Sequence, residues 1–387
     1  MMKHSRNCTA TAAWLGWSVF LIARAHRRQR TSTALLLLAG MAFIAGCSSP
    51  DSSNYASTAP QNPPATTPGA QFAATPADSH KFVFGHEPDN PLTYSLAMTV
   101  KMNMDMKSGR QDAAMNMNFD LRYRLKLTPT ADSKESLTSM RLEPSGVEGD
   151  WDMTGPGGHM IMSLRDSKMK GTQNGRVVID TAKDIGTAQA QAMKKEIMPL
   201  YLSGFVDLDP RGMVKAFRGD LPFVEFWTEA MSSQVGLWGV VFPAKEVKVG
   251  DSWEETLSLK KMGQVKMDGE GLRCTATFAR GPDVVVKGKR RATFTQSAPF
   301  KQKNLTARVE QMGQNMRVNI SEFERRAEGT FNFDQERGLV TDGRTKADAT
   351  ASMSTFVQGQ AIDMNLKMQM EMRVNLVGDG RRGGRKD

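Results

Sequence analysis

Leu96-Ala97-Met98-Thr99-Val100-Lys101-Met102-Asn103-Met104-Asp105-Met106-Lys107 alternates apolar and polar residues without a break from Met98 onward. After Ser108-Gly109 the alternation resumes. Met115, Met117, Phe119, Leu121, Tyr123, Leu125 and Leu127 stand against Asn116, Asn118, Asp120, Arg122, Arg124 and Lys126. A period of two sends successive side chains to opposite faces of an extended chain. The stretch therefore reads as a hairpin of two long strands, each with one buried and one wet face.

Working outward, the same alternation returns near the C-terminus in Ile362, Met364, Leu366, Met368, Met370, Met372, Val374 and Leu376. Further strands are expected near Ser139–Glu143, His159–Leu164, Val177–Asp180, Gly271–Phe278, Val284–Val286, Ala292–Gln296, Leu305–Gln311, Met316–Phe323, Ala327–Asp334 and Leu339–Ser354. Gly204–Phe217 reads as two strands joined by a turn at Asp209-Pro210-Arg211-Gly212. The middle of the chain reads as helical. Thr187–Met198 is rich in Ala, Gln, Met and Lys and stops at Pro199, and Asp220 can cap a helix carrying Phe223, Trp227, Met231 and Val235. The expected fold class is thus α+β and β-rich: long antiparallel strands in a strongly curved sheet or open half-barrel, with central helices packed on it.

The two ends of the chain have different compositions. An uncharged run, Leu35–Gly46, follows the basic cluster Arg24, Arg27, Arg28 and Arg30, in the order of a secretory leader. It is too short for the roughly 20 residues of a membrane-spanning helix. Ile44-Ala45-Gly46-Cys47 resembles the lipobox of bacterial lipoproteins. The resemblance implies cleavage after Gly46, lipidation of Cys47, and, because Ser48 follows, an outer-membrane anchor facing the periplasm. Ser48–His80 is rich in Ser, Thr and Pro without apolar periodicity and reads as a tether. The expected organisation is leader 1–46, lipidated cysteine and tether 47–80, β-rich domain 81–377, and a basic tail 378–387 carrying Arg381, Arg382, Arg385 and Lys386.

Six of the 51 Lys/Arg lie in the leader, which has no acid, so the remainder has 45 basic against 41 acidic residues, or +4. A body so near neutrality offers no electrostatic footprint for nucleic acid. With Cys8 removed and Cys47 acylated, Cys274 has no partner for a disulfide. It shares an alternating face with Leu272, Ala276 and Phe278 and reads as buried.

No nucleophile-elbow, zincin, P-loop or dinucleotide motif occurs. His159, beside Gly157-Gly158, and the carboxylate pairs Asp150/Asp152, Asp207/Asp209 and Glu254/Glu255 are the only groups on which catalysis could be built. Asp-x-Asp-Pro is common turn chemistry. No catalytic residue, cofactor or metal is assigned, and an enzyme is not the expected reading.

Methionine, 27 residues, is the unusual feature. Met102, Met104, Met106, Met115, Met117, Met364, Met368, Met370 and Met372 share one face of strands far apart in sequence. Three readings are open: an ordinary core, a soft face that accepts an apolar ligand, or thioether ligands for Cu(I). For the second, periplasmic lipoprotein carriers of the LolA/LolB type offer a resemblance: a curved open barrel with plugging helices. Phe242-Pro243-Ala244-Lys245-Glu246-Val247-Lys248-Val249-Gly250-Asp251-Ser252-Trp253 resembles a segment of uncharacterised β-rich envelope lipoproteins. The expected role is non-enzymatic: membrane attachment through the lipid, with an apolar ligand or an envelope protein as partner.

Overall fold

The computed structural model describes residues 71–72, 80–84, 90–109, 111–130, 137–183, 185, 203–219, 240–259, 261–262, 265–269, 271–311, 314–357 and 360–378. Every regular element in them is a strand. In chain order these are β1 Gln71–Phe72, β2 Leu92–Ser108, β3 Gln111–Pro129, β4 Thr138–Gly155, β5 Gly158–Arg165, β6 Lys168–Gln173, β7 Arg176–Asp180, β8 Gly204–Leu208 and β9 Val214–Gly219. They continue as β10 Ser252–Leu259, β11 Lys261–Met262, β12 Val265–Met267, β13 Leu272–Arg280, β14 Val284–Val286, β15 Lys289–Gln311, β16 Gln314–Asp334, β17 Leu339–Val357 and β18 Gln360–Gly378.

The α+β expectation is overturned. The described residues contain no helix and form one antiparallel sheet that does not close on itself through backbone pairing. The segments on which helices were expected, 187–198 and 220–235, lie outside the described residues, as do the leader and Cys47. The sheet is long-stranded because its alternation is long. Seven strands of 17 to 23 residues lie side by side in the order β15-β16-β17-β18-β2-β3-β4. Its middle joins the two halves of the chain, with β18 running against β2 in an unbroken register from Ile362↔Ser108 to Leu376↔Tyr94.

Both ends of this array fork. On one side the upper part of β4 pairs with β5, which continues to β6 and β7, while Thr138–Leu142 pairs with β8 and then β9. On the other side β15 carries β14, then β13 with β10 beyond it, and, farther along, β12 with β11. Between those two groups Ala298–Leu305 has no strand partner on that edge among the described residues. Pro299 sits there, where the missing N–H breaks no ladder.

One face of the sheet is apolar and folds inward on itself. Leu127, Met140, Val206, Leu208 and Val214 from one end share a cluster with Phe278, Phe294, Phe331 and Phe333 from the other, so the sheet must curl to bring them together. Two connecting segments fill this end. Phe82 and Phe84 pack against Phe242 at ring-centroid distances of 5.6 and 5.7 Å, and Phe242 against Phe333 at 4.7 Å. Trp253 Nε1 donates to the Val241 carbonyl at 2.9 Å, and Tyr94 Oη to that of Val340 at 2.8 Å. Gly212, at φ +80°, takes the Asp209–Gly212 turn beneath Phe84, and a Cβ there would stand 2.3 Å from the ring.

Arg280 and Asp283 are buried at this end, 2 % and 0 % exposed in their side chains. Arg280 pairs with Asp283, which also accepts from Arg290, and its guanidinium lies 5.3 and 5.5 Å from the Phe82 and Phe294 rings. Cys274 is fully buried beside Leu272, Ala276 and Phe278. The other two cysteines lie outside the described residues.

The opposite face is wet. Lys101, Asn103 and Asp105 on β2, Lys346 and Asp348 on β17, and Asp363, Asn365 and Lys367 on β18 are all exposed. Glu371 bridges β18 to Arg344 of β17 and is also met by Arg373. The hydrogen bonds from Arg344, foremost, and Arg373 hold its carboxyl down at about 2.

Candidate inner-face binding site

The register turns the methionine alternation into rows that cross the sheet. Met368 of β18 lies beside Met102 of β2, Met102 beside Met117 of β3, Met117 beside Met153 of β4, and Met153 beside Met160 of β5. Five consecutive strands thus offer a methionine at one level. At about 4.8 Å per strand, the row from Met368 to Met160 spans roughly 19 Å. The next level carries Leu366, Met104 and Met115, and the level on the other side Met370, Val100, Phe119, Trp151 and Met162.

The nine methionines assigned to this face all lie on it, but they divide by burial. Met102, Met104, Met115, Met364 and Met368 are 1–5 % exposed and belong to a packed cluster with Phe300, Val318, Ile320, Phe323 and Ala351. Met106, Met117, Met370 and Met372 are half-buried. Met98, Phe119 and Leu121, which alternation places on the same face, are half-buried as well. Met372, Met98 and Leu121 are cross-strand neighbours, as are Met370, Val100 and Phe119. Together with Met117 they form a contiguous apolar strip on β18, β2 and β3.

The strip lies where three separate cores adjoin. Met98, Met117, Phe119 and Met370 flank the first, Met370 also the second, and Met117, Phe119 and Leu121 the third, built from Val147, Trp151, Met153, Met160, Met162, Leu164, Met169 and Ile179. None of the cores encloses it. Trp151 stands at its margin, its ring 5.1 Å from that of Phe119 and folded over Gly149, where a Cβ would lie 2.5 Å away. Tyr123 continues the face toward Leu125, and burial raises its hydroxyl to about 12.

The groups considered for catalysis are dispersed. His159 Nε2 lies 2.7 Å from Asp152 Oδ1 on the outer face, and both side chains are about half exposed. Asp150 accepts two bonds from Arg165. Asp207 accepts from Ser139 at 2.5 Å and Arg218 at 2.8 Å. Asp209 closes its turn by accepting from the Arg211 and Met213 amides, each at 2.9 Å. Glu255 pairs with Arg211. His159 pairs with Thr154 and Asp207 with Ser139, positions about 50 Å apart along β4. The structure does not bring them together. Among the described residues no three His, Cys, Asp or Glu are grouped to hold a metal.

An outer-membrane barrel turns an apolar band outward and keeps a polar interior. This sheet does the reverse, with charged residues outside and methionines within, so its strands are not arranged to cross hydrocarbon.

No family model matches the chain, and no curated protein matches it. Among solved structures it is similar to lipovitellin, described under lipid–protein interactions, at TM-score 0.36 and 9 % identity over 76 % of this chain. The chain spans only 25 % of that protein's length. It is also similar to OccK7 of Pseudomonas aeruginosa, at TM-score 0.19 and 6 % identity over 74 % of this chain and 100 % of that one. A third is the autotransporter translocator domain of NalP from Neisseria meningitidis, at TM-score 0.15 and 8 % identity over 72 % and 88 % of the two chains. At these scores the likenesses carry no argument, and function is reasoned from the chain's own residues.

Proposed function

We propose that this protein is a lipid-anchored envelope protein that binds an apolar ligand, of the acyl-chain kind, on the inner face of its sheet. One observation carries the binding reading. The strip Met98, Met117, Phe119, Leu121, Met370 and Met372 is apolar, contiguous and half-buried, at the junction of three cores that do not cover it. Methionine suits such a surface, since its unbranched, polarisable side chain adapts to irregular apolar partners. An acyl chain laid there would remove both surfaces from water at about 25 cal/mol per Å².

The test is Met370→Glu with a fluorescent fatty acid as probe. Because Met370 is half-buried, the variant is expected to fold. A carboxylate in the strip should cut affinity by roughly tenfold or more, the cost of desolvating it against a hydrocarbon. Wild-type affinity in the folded variant would contradict the binding reading.

The anchor rests on the lipobox ending at Gly46-Cys47. Stable attachment takes two or more acyl chains, because one binds only marginally. Cys47→Ala is expected to leave an uncleaved precursor or to release the protein from membranes. Wild-type processing and membrane fractionation of that variant would contradict it.

A further inference from the structure

We infer that Arg325 makes the inner face selective for amphiphiles with an acidic head, receiving a carboxylate or phosphate while the chain lies on the half-buried strip. The inference rests on the apolar-ligand reading above and adds the class of ligand. Arg325 sits on the inner side of β16 between Phe323 and Ala327, with Phe300 and Ala349 as its cross-strand neighbours. All four are buried. Among the described residues of β2, β3, β16, β17 and β18 it is the one charged side chain on that face, and no carboxylate shares the face with it.

Its Nε is sealed from solvent without a hydrogen-bond partner, and it has no ion pair among the described residues. The residue as a whole is only half-buried, so part of it stays reachable. Desolvation lowers it to about 10, still charged at neutral pH. An unpaired buried cation is destabilising, and a fold that keeps one in an apolar wall has left an anion site open.

Two further features support the assignment. Gln302, also on the inner face and diagonal to Arg325 across β15 and β16, has a buried amide oxygen without a partner. Turning its amide over sets a second donor there. Arg325 also lies in register with the longest methionine row, through Ala349 to Met368, Met102, Met117, Met153 and Met160. A head at Arg325 stands two strands from Met370, past the small Ala347 of β17, so its chain reaches the half-buried strip.

The experiment titrates the full chain with palmitate and with hexadecanol, which differ only in the head, for wild type and Arg325→Met. Wild type is expected to prefer palmitate. Arg325→Met should weaken palmitate by roughly tenfold or more, the value of a charge-assisted pair, and leave hexadecanol unchanged. The variant should also melt at a higher temperature without ligand, since a buried unpaired charge becomes apolar. Equal palmitate affinity in both proteins overturns the inference while hexadecanol binding upholds the apolar site. Failure of both probes on wild type sinks the apolar-ligand reading itself. Inorganic phosphate should not displace palmitate. If it does, the site takes a free anion and the amphiphile assignment falls.

Discussion

Met104→Glu is expected to prevent folding. Met104 is 1 % exposed, held between Leu366 and Met115 in register on the inner face. No cation faces it from either neighbour. A buried carboxylate without a partner costs several kcal/mol even after it takes up a proton, against a net stability of about 5–15 kcal/mol for a typical domain. The expected result is loss of the cooperative melt, or recovery only in inclusion bodies, while Met104→Leu stays within about 1.5 kcal/mol of wild type. A Met104→Glu protein melting at the wild-type temperature would mean that this part of the face is open. The contrast with Met370→Glu separates sealed core from binding strip, which alternation alone leaves indistinguishable.

The second large effect is expected at the buried ion pair. Removing the carboxylate in Asp283→Ala strands the Arg280 guanidinium among Phe82, Phe294 and backbone, at a cost of about 3–5 kcal/mol. Burial already lowers the Arg280 pKa, and Asp283 is what offsets that. The double variant Arg280→Met/Asp283→Leu removes both charges and should recover most of the loss, because well-packed apolar replacements of buried pairs are often neutral. Urea unfolding of the three proteins measures this. A single variant within 1 kcal/mol of wild type would show that the pair is not sealed.

Much of the sheet was legible because its strands obey one rule for a long distance. Hairpin β2–β3, the face of β18, the buried run Leu272–Phe278 and the Asp209-Pro210 turn follow from period-two patterning and turn chemistry. Sequence reading broke β15 and β16 into two strands each, for a physical reason. At Asn304, φ +56°, and at the register shift between Ile320 and Glu322, both strands change which parity points inward. Val318 and Ile320 give way to Phe323, Arg325 and Ala327, and Phe300 and Gln302 give way to Leu305 and Ala307. An irregularity of this kind has no residue signature of its own, so the charged run Glu324-Arg325-Arg326 falls between the two strands expected from sequence.

Arg325 was missed for that reason. In sequence it stands among Glu324, Arg326 and Glu328, residues of an exposed outer face, and only the bulge turns it inward. Met153 and Met160 were missed because Gly155-Pro156-Gly157 hides that their strands are long enough to extend the row. For the nine methionines, alternation alone leaves core and ligand face both open. Alternation fixes the face a side chain is on, and the curl of the sheet decides what covers it.

An acyl chain bound on the strip beside Phe119 would lie next to Trp151, which is placed to report it. Bromine quenches indole fluorescence only near contact, and Trp151 packs against Phe119 with 5 % of its surface exposed. Titration with a fatty acid brominated along its chain is expected to quench wild-type emission saturably, and the quenched component should vanish in Trp151→Phe. Emission unchanged up to the solubility limit of the acid, or quenching that persists undiminished in Trp151→Phe, would show that no acyl chain lies on this strip.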